Sequence, residues 1–357
     1  MASVTDSPLA RSWLEERSCE RWLVTGAAGF IGSHLTEHLL RCGQAVTALD
    51  NFSTGSRRNL ERVREAVGET AWHRVRLIEG DVAQAEVCER ALEGVSHVLH
   101  QAALGSVPRS LHNPMDTLQA NVLGFAQLLT ACVKAGVQRV VYASSSSVYG
   151  DQEAQLKVEP TLGQPLSPYA LSKRVDELLA QTWSRCYGLE TVGLRYFNVF
   201  GPRQDPSGAY AAVIPLWAHA LLSGETVWIN GDGQHSRDFC FVENVVQANL
   251  RAALLPALPV VSEVFNIACG AQTNLLQLIE LMRSTLSSVV GRSLAADVRH
   301  REARAGDPRH SLADISHAQA ILGYAPTHSI EAGLQRTLRW YAAQFSPERA
   351  TAERSPV

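Results

Sequence analysis

The sequence predicts an α/β fold, a Rossmann-type doubly wound parallel sheet carrying a smaller C-terminal α/β substrate lobe. Three observations predict it. Short, continuously apolar strands alternate with helical periodicity through the first half of the 357 residues, as in a parallel sheet covered on both faces. A glycine-rich turn, Thr25-Gly26-Ala27-Ala28-Gly29-Phe30-Ile31-Gly32, follows the first strand and opens the first helix. An aspartate, Asp50, closes the second strand, about 20 residues on, the spacing of dinucleotide-binding βαβ units.

In order, Trp22–Val24 reads as a strand and Ile31–Arg41 as a helix ending at Gly43. Ala45–Leu49, Val75–Ile78 and Val95–His100 repeat the strand signal. Asn121–Ala135 reads as a helix, Arg139–Ala143 as a strand and Pro168–Tyr187 as a long helix. Beyond Asn198 the pattern loosens: Pro202, Pro206, Gly208, Gly231 and Gly233 punctuate short strands before Asn244–Leu255 and Asn274–Val290 resume helical spacing. The expected division is an N-terminal extension over 1–20 and a dinucleotide-binding domain over 21–198, with a returning segment at about 237–268. The second lobe is expected from 199–236 and 269–345, and a polar tail from 346–357. Trp13 and Leu14 either pack the extension on the first domain or belong to a free tail.

Composition narrows the function classes. With 46% hydrophobic residues the chain is not intrinsically disordered. A net charge of −3, from 32 basic against 35 acidic residues, offers no basic field for nucleic acid. The seven cysteines are scattered and never form Cys-x-x-Cys, so they read as reduced thiols and not as a disulfide framework or zinc site. The first residues lack an apolar core of signal-peptide length. The longest nearly apolar stretch, Ala252–Val261, is interrupted by Pro256 and Pro259 and is too short to span a membrane. A cytoplasmic protein with neither nucleic-acid nor membrane partners is expected.

Gly26 permits a tight turn, Gly29 lets backbone approach a pyrophosphate, and Gly32 allows close helix–strand packing. The helix N-terminus behind them presents free N–H groups to phosphates. The spacing is G-x-x-G-x-x-G. Asp50 suits the adenosine ribose 2′-hydroxyl and repels a 2′-phosphate, which favours NAD over NADP, although Arg57 and Arg58 lie nearby in sequence. Asp81-Val82 suits the adenine edge, and Asp81 equally suits a helix N-cap.

Ser167 and Pro168 open the long helix as N-cap and first helical residue. Tyr169 and Lys173, four residues apart, share one helix face. A tyrosyl hydroxyl ordinarily titrates at about 10; a neighbouring ammonium and a positive nicotinamide ring favour the phenolate, which takes a proton from a sugar hydroxyl while hydride leaves the same carbon. The bland alternative is an interfacial Tyr beside a solvated Lys. Ser144–Ser147 follow the strand Arg139–Ala143, at the rim where doubly wound folds bind ligands. Ser145 suits hydrogen bonds to the substrate hydroxyl and to Tyr169, against the alternative of a serine-rich turn.

The segments TGAAGFIG, DNFSTG, GDV, SSSSVYG, SPYALSK, RYFNVFGPRQDP, GDGQHSRDF and RAGD occur in this order between about Arg21 and Tyr341. In them the chain resembles the extended short-chain dehydrogenase/reductase superfamily, and within it the nucleotide-sugar 4-epimerases. AALGSVPRS and NGDGQHSRDFC particularly resemble the bacterial UDP-N-acetylglucosamine 4-epimerases. The resemblance implies tightly bound NAD, Tyr169 as base, Lys173 tuning it and holding the nicotinamide ribose, and Ser145 assisting at O4. Hydride leaves C4 to give a 4-keto sugar, which turns over about its diphosphate link and takes the hydride back on the opposite face. The cofactor site it implies comprises Gly26, Gly29, Phe30, Ile31, Gly32, Asp50, Asn51, Ser53, Gly55, Asp81, Val82, Gln101, Ala103, Tyr169, Lys173 and Val199. For the substrate it implies Asn198 and Arg237 at the diphosphate, and Arg304 and Asp307 at phosphate and uridine ribose. Arg109, Ser145, Ser146, Val213, Trp228 and Asn230 belong to the same implied substrate site.

Two positions discriminate within the resemblance. The 4,6-dehydratases place Asp and Glu where this chain has Ser146 and Ser147, and the decarboxylases likewise need a Glu there, so both reactions are disfavoured. Epimerases limited to non-acetylated sugars hold a Tyr where this chain has Ser311. A Ser there leaves room for a 2-acetamido group, as do Gly105, Ser106 and Ala212 at other wall positions; otherwise Ser311 is a solvated loop residue. The expected reaction is interconversion of UDP-N-acetylglucosamine and UDP-N-acetylgalactosamine, with UDP-glucose or the uronic-acid forms as further substrates. The alternatives are a uronate 4-epimerase, a reductase that releases NADH, and a non-catalytic NAD-binding sensor. The resemblance also implies a homodimer through a four-helix seam of Asn121–Ala135 and Pro168–Tyr187, with Leu123, Leu128, Leu129, Leu178, Leu179 and Trp183; their apolar positions equally suit an intrachain core.

Overall fold

The computed structural model describes residue 14 and residues 18–206, 211–258, 260–302 and 309–345. Its centre is a seven-stranded, all-parallel sheet. The strands are β1 (Arg21–Thr25), β2 (Ala45–Asp50), β3 (Val75–Glu79), β4 (His97–His100), β5 (Arg139–Ser145), β6 (Glu190–Tyr196) and β7 (Ser262–Ile267). Their order is β7-β6-β5-β4-β1-β2-β3, so the chain winds outward in both directions from β1. Side chains alternate across the sheet. Trp22 and Val24 enter one core with Leu35, Leu39 and Val246, whereas Leu23 enters the opposite core with Phe125, Leu128 and Tyr142. Burial on both faces explains why these strands read as unbroken apolar runs.

Most expected elements shift by one to three residues at an end, and in two of them the shift has a visible cause. The strand expected from Val95 begins at His97, because Val95 donates its N–H to the Leu92 carbonyl in the turn that Gly94 allows at φ 69°. The helix expected from Asn121 is regular only over α2 (Gly124–Ala135); Gln119–Leu123 before it is a π-helical turn. There the Asn121 amide bridges the Leu104 backbone (2.8 Å from its N–H) and Ser172 Oγ (2.9 Å). A widened turn accommodates that side chain. The long helix α3 (Pro168–Tyr187) has its expected bounds: Ser167 Oγ accepts the Ala170 N–H at 3.1 Å, and left-handed Gly188 ends it. β6 and β7, which complete the sheet, were not singled out from the sequence.

A third core, holding Phe200, Trp217, Phe241, Met282 and Tyr341, forms the C-terminal lobe. Four short strands knit it to the first part of the chain, since Ser236–Arg237 pairs with His310–Ser311 and Leu312–Ala313 pairs with Leu156–Lys157. The first sheet helix, α1 (Phe30–Arg41), docks the lobe through buried groups: Glu37 pairs with Arg203, and His34 Nε2 lies 2.9 Å from the Pro202 carbonyl. Leu14 is buried in the core beneath α1, and its carbonyl accepts from Gln44. Trp13, the companion residue named from the sequence, lies outside the described residues. Among the described residues no helix is long and apolar enough to cross a membrane.

This burial makes the fold acid-sensitive. Burial pushes His34 and His100 down to about 3 and His328 down to about 4. Groups whose folded value is depressed stabilise the protein above their unfolded value, and that stability is lost as pH falls from about 6.5. Asp176 and Asp238, pushed up to about 6 chiefly by burial, act in the opposite sense as pH falls through 6. The histidine displacements are more numerous and, for His34 and His100, larger, so they win. Stability at pH 5 is expected to lie below that at pH 7.5 by on the order of 2 kcal/mol. Urea midpoints that are equal or higher at pH 5 would contradict this.

Candidate active site

A cavity of about 420 Å³ opens at the C-terminal ends of β1, β2, β4 and β5. Its floor is the glycine turn. A Cβ on Gly32 would lie 2.1 Å from the Gly26 carbonyl oxygen, so α1 can approach the turn only with glycine there. Gly26 has φ +64°, and a Cβ on it would meet the Ala102 nitrogen at 2.8 Å. Helix α1 starts on Gly29 with no capping side chain and no acidic residue in its first turn. The turn carried by Phe30, Ile31 and Gly32, all lining the cavity, therefore presents N–H groups to an anion.

Asp50 stands at the far rim, where each of its oxygens already accepts a backbone N–H, from Ala28 at 2.8 Å and Phe52 at 2.7 Å. Burial raises its carboxyl above the usual range against the pull of those two donors. Carboxylate oxygens have a second acceptor position each, which suits a ribose hydroxyl. Arg57 is turned to other work, paired with Glu79 at 2.5 Å and stacked over Phe52. Asp81 does not cap the following helix, whose N-cap is Gln84; its carboxylate accepts from Ala83 N–H and Asn51 Nδ2 at 2.8 Å each. Gly55, Ser53, Val82, Gln101, Ala103 and Val199 line the same cavity, as do Tyr169 and Lys173. The dinucleotide residues named from the sequence thus converge on one crevice whose donor set, a helix N-terminus and a rim carboxylate, fits NAD.

Lys173 is buried, and its Nζ lies 3.0 Å from Asp176 Oδ2. Burial works against its charge, but Asp176, Tyr169 and Glu177 together outweigh it and hold the ammonium above its usual value. Ser145 ends β5. Its Oγ accepts from the Ser147 N–H at 3.2 Å and the Ser147 hydroxyl at 3.0 Å, in place of the Tyr169 contact expected from the sequence. A hydroxyl has two acceptor sites and one donor proton. Both acceptor sites are used, so the proton is what Ser145 has left to offer. Behind these residues Glu177 of α3 accepts from Arg195 of β6 at 2.8 and 2.9 Å and from Ser144 at 2.7 Å, clamping α3 to the sheet.

A second cavity of about 260 Å³ adjoins the first, sharing Val199 and Gln204 with it. Asn198, Ala212, Val213, Trp228, Asn230 and Arg237 line it, and Gly105 and Ser145 line the first. Asp238 is buried and its oxygens accept the Cys269 and Gly270 N–H groups at 2.8 and 2.9 Å, so it is no surface ion-pair partner for Arg237. Four expected substrate residues line neither cavity. Ser106 caps the short helix Val107–His112 and accepts the Arg109 N–H, and Ser146 starts a 3-10 turn. Ser311 is buried on a strand in register with Arg237, not solvated in a loop. Arg304 and Asp307 lie outside the described residues. Sequence reasoning missed Gln204 and His235, both in segments it quoted, and the apolar wall of Trp217 and Phe239.

Residues 22–268 match the NAD dependent epimerase/dehydratase family. The chain belongs to that family. The UDP-glucose 4-epimerase of Mycolicibacterium smegmatis is 35% identical over 323 residues, 90% of this chain and 98% of the relative. The UDP-glucuronate 4-epimerase 4 of Arabidopsis thaliana is 33% identical over 350 residues, 93% of this chain and 77% of the relative. Among solved structures, a UDP-N-acetylglucosamine 4-epimerase from Methanobrevibacter ruminantium M1 in complex with UDP-N-acetylmuramic acid is 35% identical. It covers 92% of this chain and all of its own, at a TM-score of 0.82. Like other members of the epimerase/dehydratase family, this chain is an NAD-dependent enzyme on a Rossmann-type sheet.

Proposed function

We propose that this epimerase inverts C4 of UDP-N-acetylglucosamine reversibly, in the cytoplasm, where its seven cysteines, none in a disulfide, stay reduced. The coarser reading, a UDP-sugar 4-epimerase, is common to the relatives above. The observation that carries the proposal is the placement of Tyr169, Lys173 and Ser145 in the larger cavity, next to a second one walled by Trp228, Asn230 and Arg237. NAD, held by the glycine turn and Asp50, supplies a reversible hydride acceptor. Tyr169 takes the O4 proton, and Lys173 keeps a positive charge beside it. Ser145 donates its one uncommitted proton towards O4. Arg237 has the charge and planar fork for a diphosphate.

The Methanobrevibacter relative supports an acetamido sugar, and so does the resemblance at Ser311, which lines neither cavity but is paired in register with Arg237 of the second. The uronate names of the Arabidopsis relatives favour a second reading, a uronic-acid UDP-sugar as substrate. Incubation with UDP-N-acetylglucosamine, UDP-glucose and their uronic acids in parallel, with C4 configuration read by proton NMR and no added reductant, decides between them. Inversion of the acetamido sugar is expected; inversion of the uronic acids alone defeats the first reading. Ser311→Tyr is expected to keep UDP-glucose/UDP-galactose turnover and lose the N-acetyl pair by at least about tenfold. Undiminished N-acetyl turnover in that variant would defeat the pocket argument.

A homodimer is part of the proposal. Leu128 and Leu129 of α2 belong to the chain's own core, with Leu179 and Trp183 packed against it. Leu123 and Leu178, by contrast, are 60% and 47% exposed, as are Met115 (72%) and Leu171 (44%) on neighbouring turns. That apolar face suits a second copy of the same surface. Sedimentation velocity at micromolar concentration is expected to give a dimer that Leu178→Asp dissociates; a monomeric wild type would remove the seam.

A further inference from the structure

Lys173 and Asp176 lie three residues apart on one face of α3, each side chain about 2% exposed. Lys173 lines the larger cavity and Asp176 stands behind it, outside the lining. The neighbouring carboxylate shows what a purely structural acid looks like here: Glu177 has both oxygens engaged, by Arg195, Arg174 and Ser144. Asp176 has one hydrogen bond, to Lys173, and its buried Oδ1 has no partner among the described residues. An acid selected for holding the fold together would not leave half of its acceptor capacity unmet at such burial.

We propose that Asp176 is a positioning residue of the reaction: acting through the Lys173 ammonium, its carboxylate keeps that cation charged and fixed one helical turn from Tyr169. The inference rests on the reading of Tyr169 and Lys173 as the proton-transfer pair. A fully buried lysine without a counter-ion loses its charge readily. Tyr169 and Glu177 also favour the Lys173 charge, but of the three only Asp176 hydrogen-bonds it. His100 from β4 is held neutral, pushed down to about 3 by burial and by Lys173 itself. Tyr142 from β5 faces the carboxylates, and burial with Glu177 and Asp176 keeps it a neutral phenol. Glu177 is committed to Arg195, and Arg174 is committed to Glu177. Asp176 is therefore the carboxylate that pairs with Lys173 directly and contributes most to its charge. Burial pushes its carboxyl up to about 6 against the attraction of Lys173, so the pair is ionised across the neutral and alkaline range.

The test is kcat of the NAD-bound enzyme between about pH 6 and 11, on whichever UDP-sugar the wild type turns over. Asp176→Asn is expected to move the alkaline limb down by about one pH unit or more, with KM for the UDP-sugar within about twofold. Asp176→Glu, which keeps the carboxylate, is expected to return the limb towards that of the wild type. An Asn variant whose profile superimposes on the wild type, or whose kcat falls with the limb unmoved, overturns the proposal, because packing alone does not shift a titration. If the Asn variant does not fold, the Glu variant decides. A folded Glu enzyme with the wild-type limb supports the role, and a displaced limb or a second failure to fold overturns it. Tyr169→Phe separates the two layers. An active Tyr169→Phe enzyme removes the reading of the pair itself, whereas an inactive one beside an unshifted Asn variant removes only the part played by Asp176.

Discussion

Tyr169→Phe is expected to lower kcat for C4 inversion by on the order of 10²–10⁴-fold, the range over which a positioned acid–base group accelerates proton transfer, while NAD stays bound. The substitution deletes one oxygen and keeps the ring that lines the cavity. It leaves the glycine turn, Asp50 and the Lys173–Asp176 pair untouched, since none of these hydrogen-bonds the Tyr169 hydroxyl. A chain that only sensed NAD would be indifferent to the change. Turnover is read by NMR of the sugar, and bound NAD by extraction from the purified protein. Loss of inversion with unchanged NAD per chain is the expected pattern. Retained inversion would take the proton from Tyr169 and leave the proposed chemistry without a base. Stoichiometric NADH accumulation in the wild type would instead mark a reductase that lets its product go.

Local motifs were the legible part of this molecule. Every cofactor residue named from Gly26 to Val199 lines one cavity, because a strand–glycine-turn–helix unit determines its own geometry within a few residues. Tyr169 and Lys173 were legible for the same reason, since helical spacing alone puts them on one face. What lies opposite a face was not legible. Leu123 and Leu128 read alike in sequence, yet one is exposed and the other is core, according to how α2 meets β4 and β5. The Asp176 carboxylate was visible at three residues from Lys173, but its burial was not. Ser147 takes both acceptor sites of Ser145 because a 3-10 turn follows β5, the serine-rich turn that the sequence offered as the alternative there. Ser106, Ser146 and Ser311 sit beside the crevice without lining it, because matching a motif fixes a position along the chain and not the direction of its side chain.

Glu177→Ala is expected to destabilise the fold by about 3–5 kcal/mol, the cost of breaking a buried ion pair by removing one partner. Both Glu177 and Arg195 are 3% exposed, and the pair is bidentate at 2.8 and 2.9 Å. Without the carboxylate, Arg195 still donates to the Tyr149 hydroxyl at 3.1 Å and the Glu159 carbonyl at 2.9 Å, but these are neutral and leave its charge uncompensated. The charge carries most of the expected cost; the lost Ser144 bond adds about 1 kcal/mol. The pair also joins α3, which carries Tyr169 and Lys173, to β6. Activity at a temperature where the variant is still folded is therefore expected to fall with it. Replacing both partners, Glu177→Leu with Arg195→Met, removes the stranded charge and is expected to recover at least half of the stability but not the activity, since an apolar contact does not fix the helix as the fork does. A single variant with an unchanged urea midpoint would show that α3 is held by its packing alone. A double variant as unstable as the single one would show that the loss lies in the cavity left by the side chain and not in the charge.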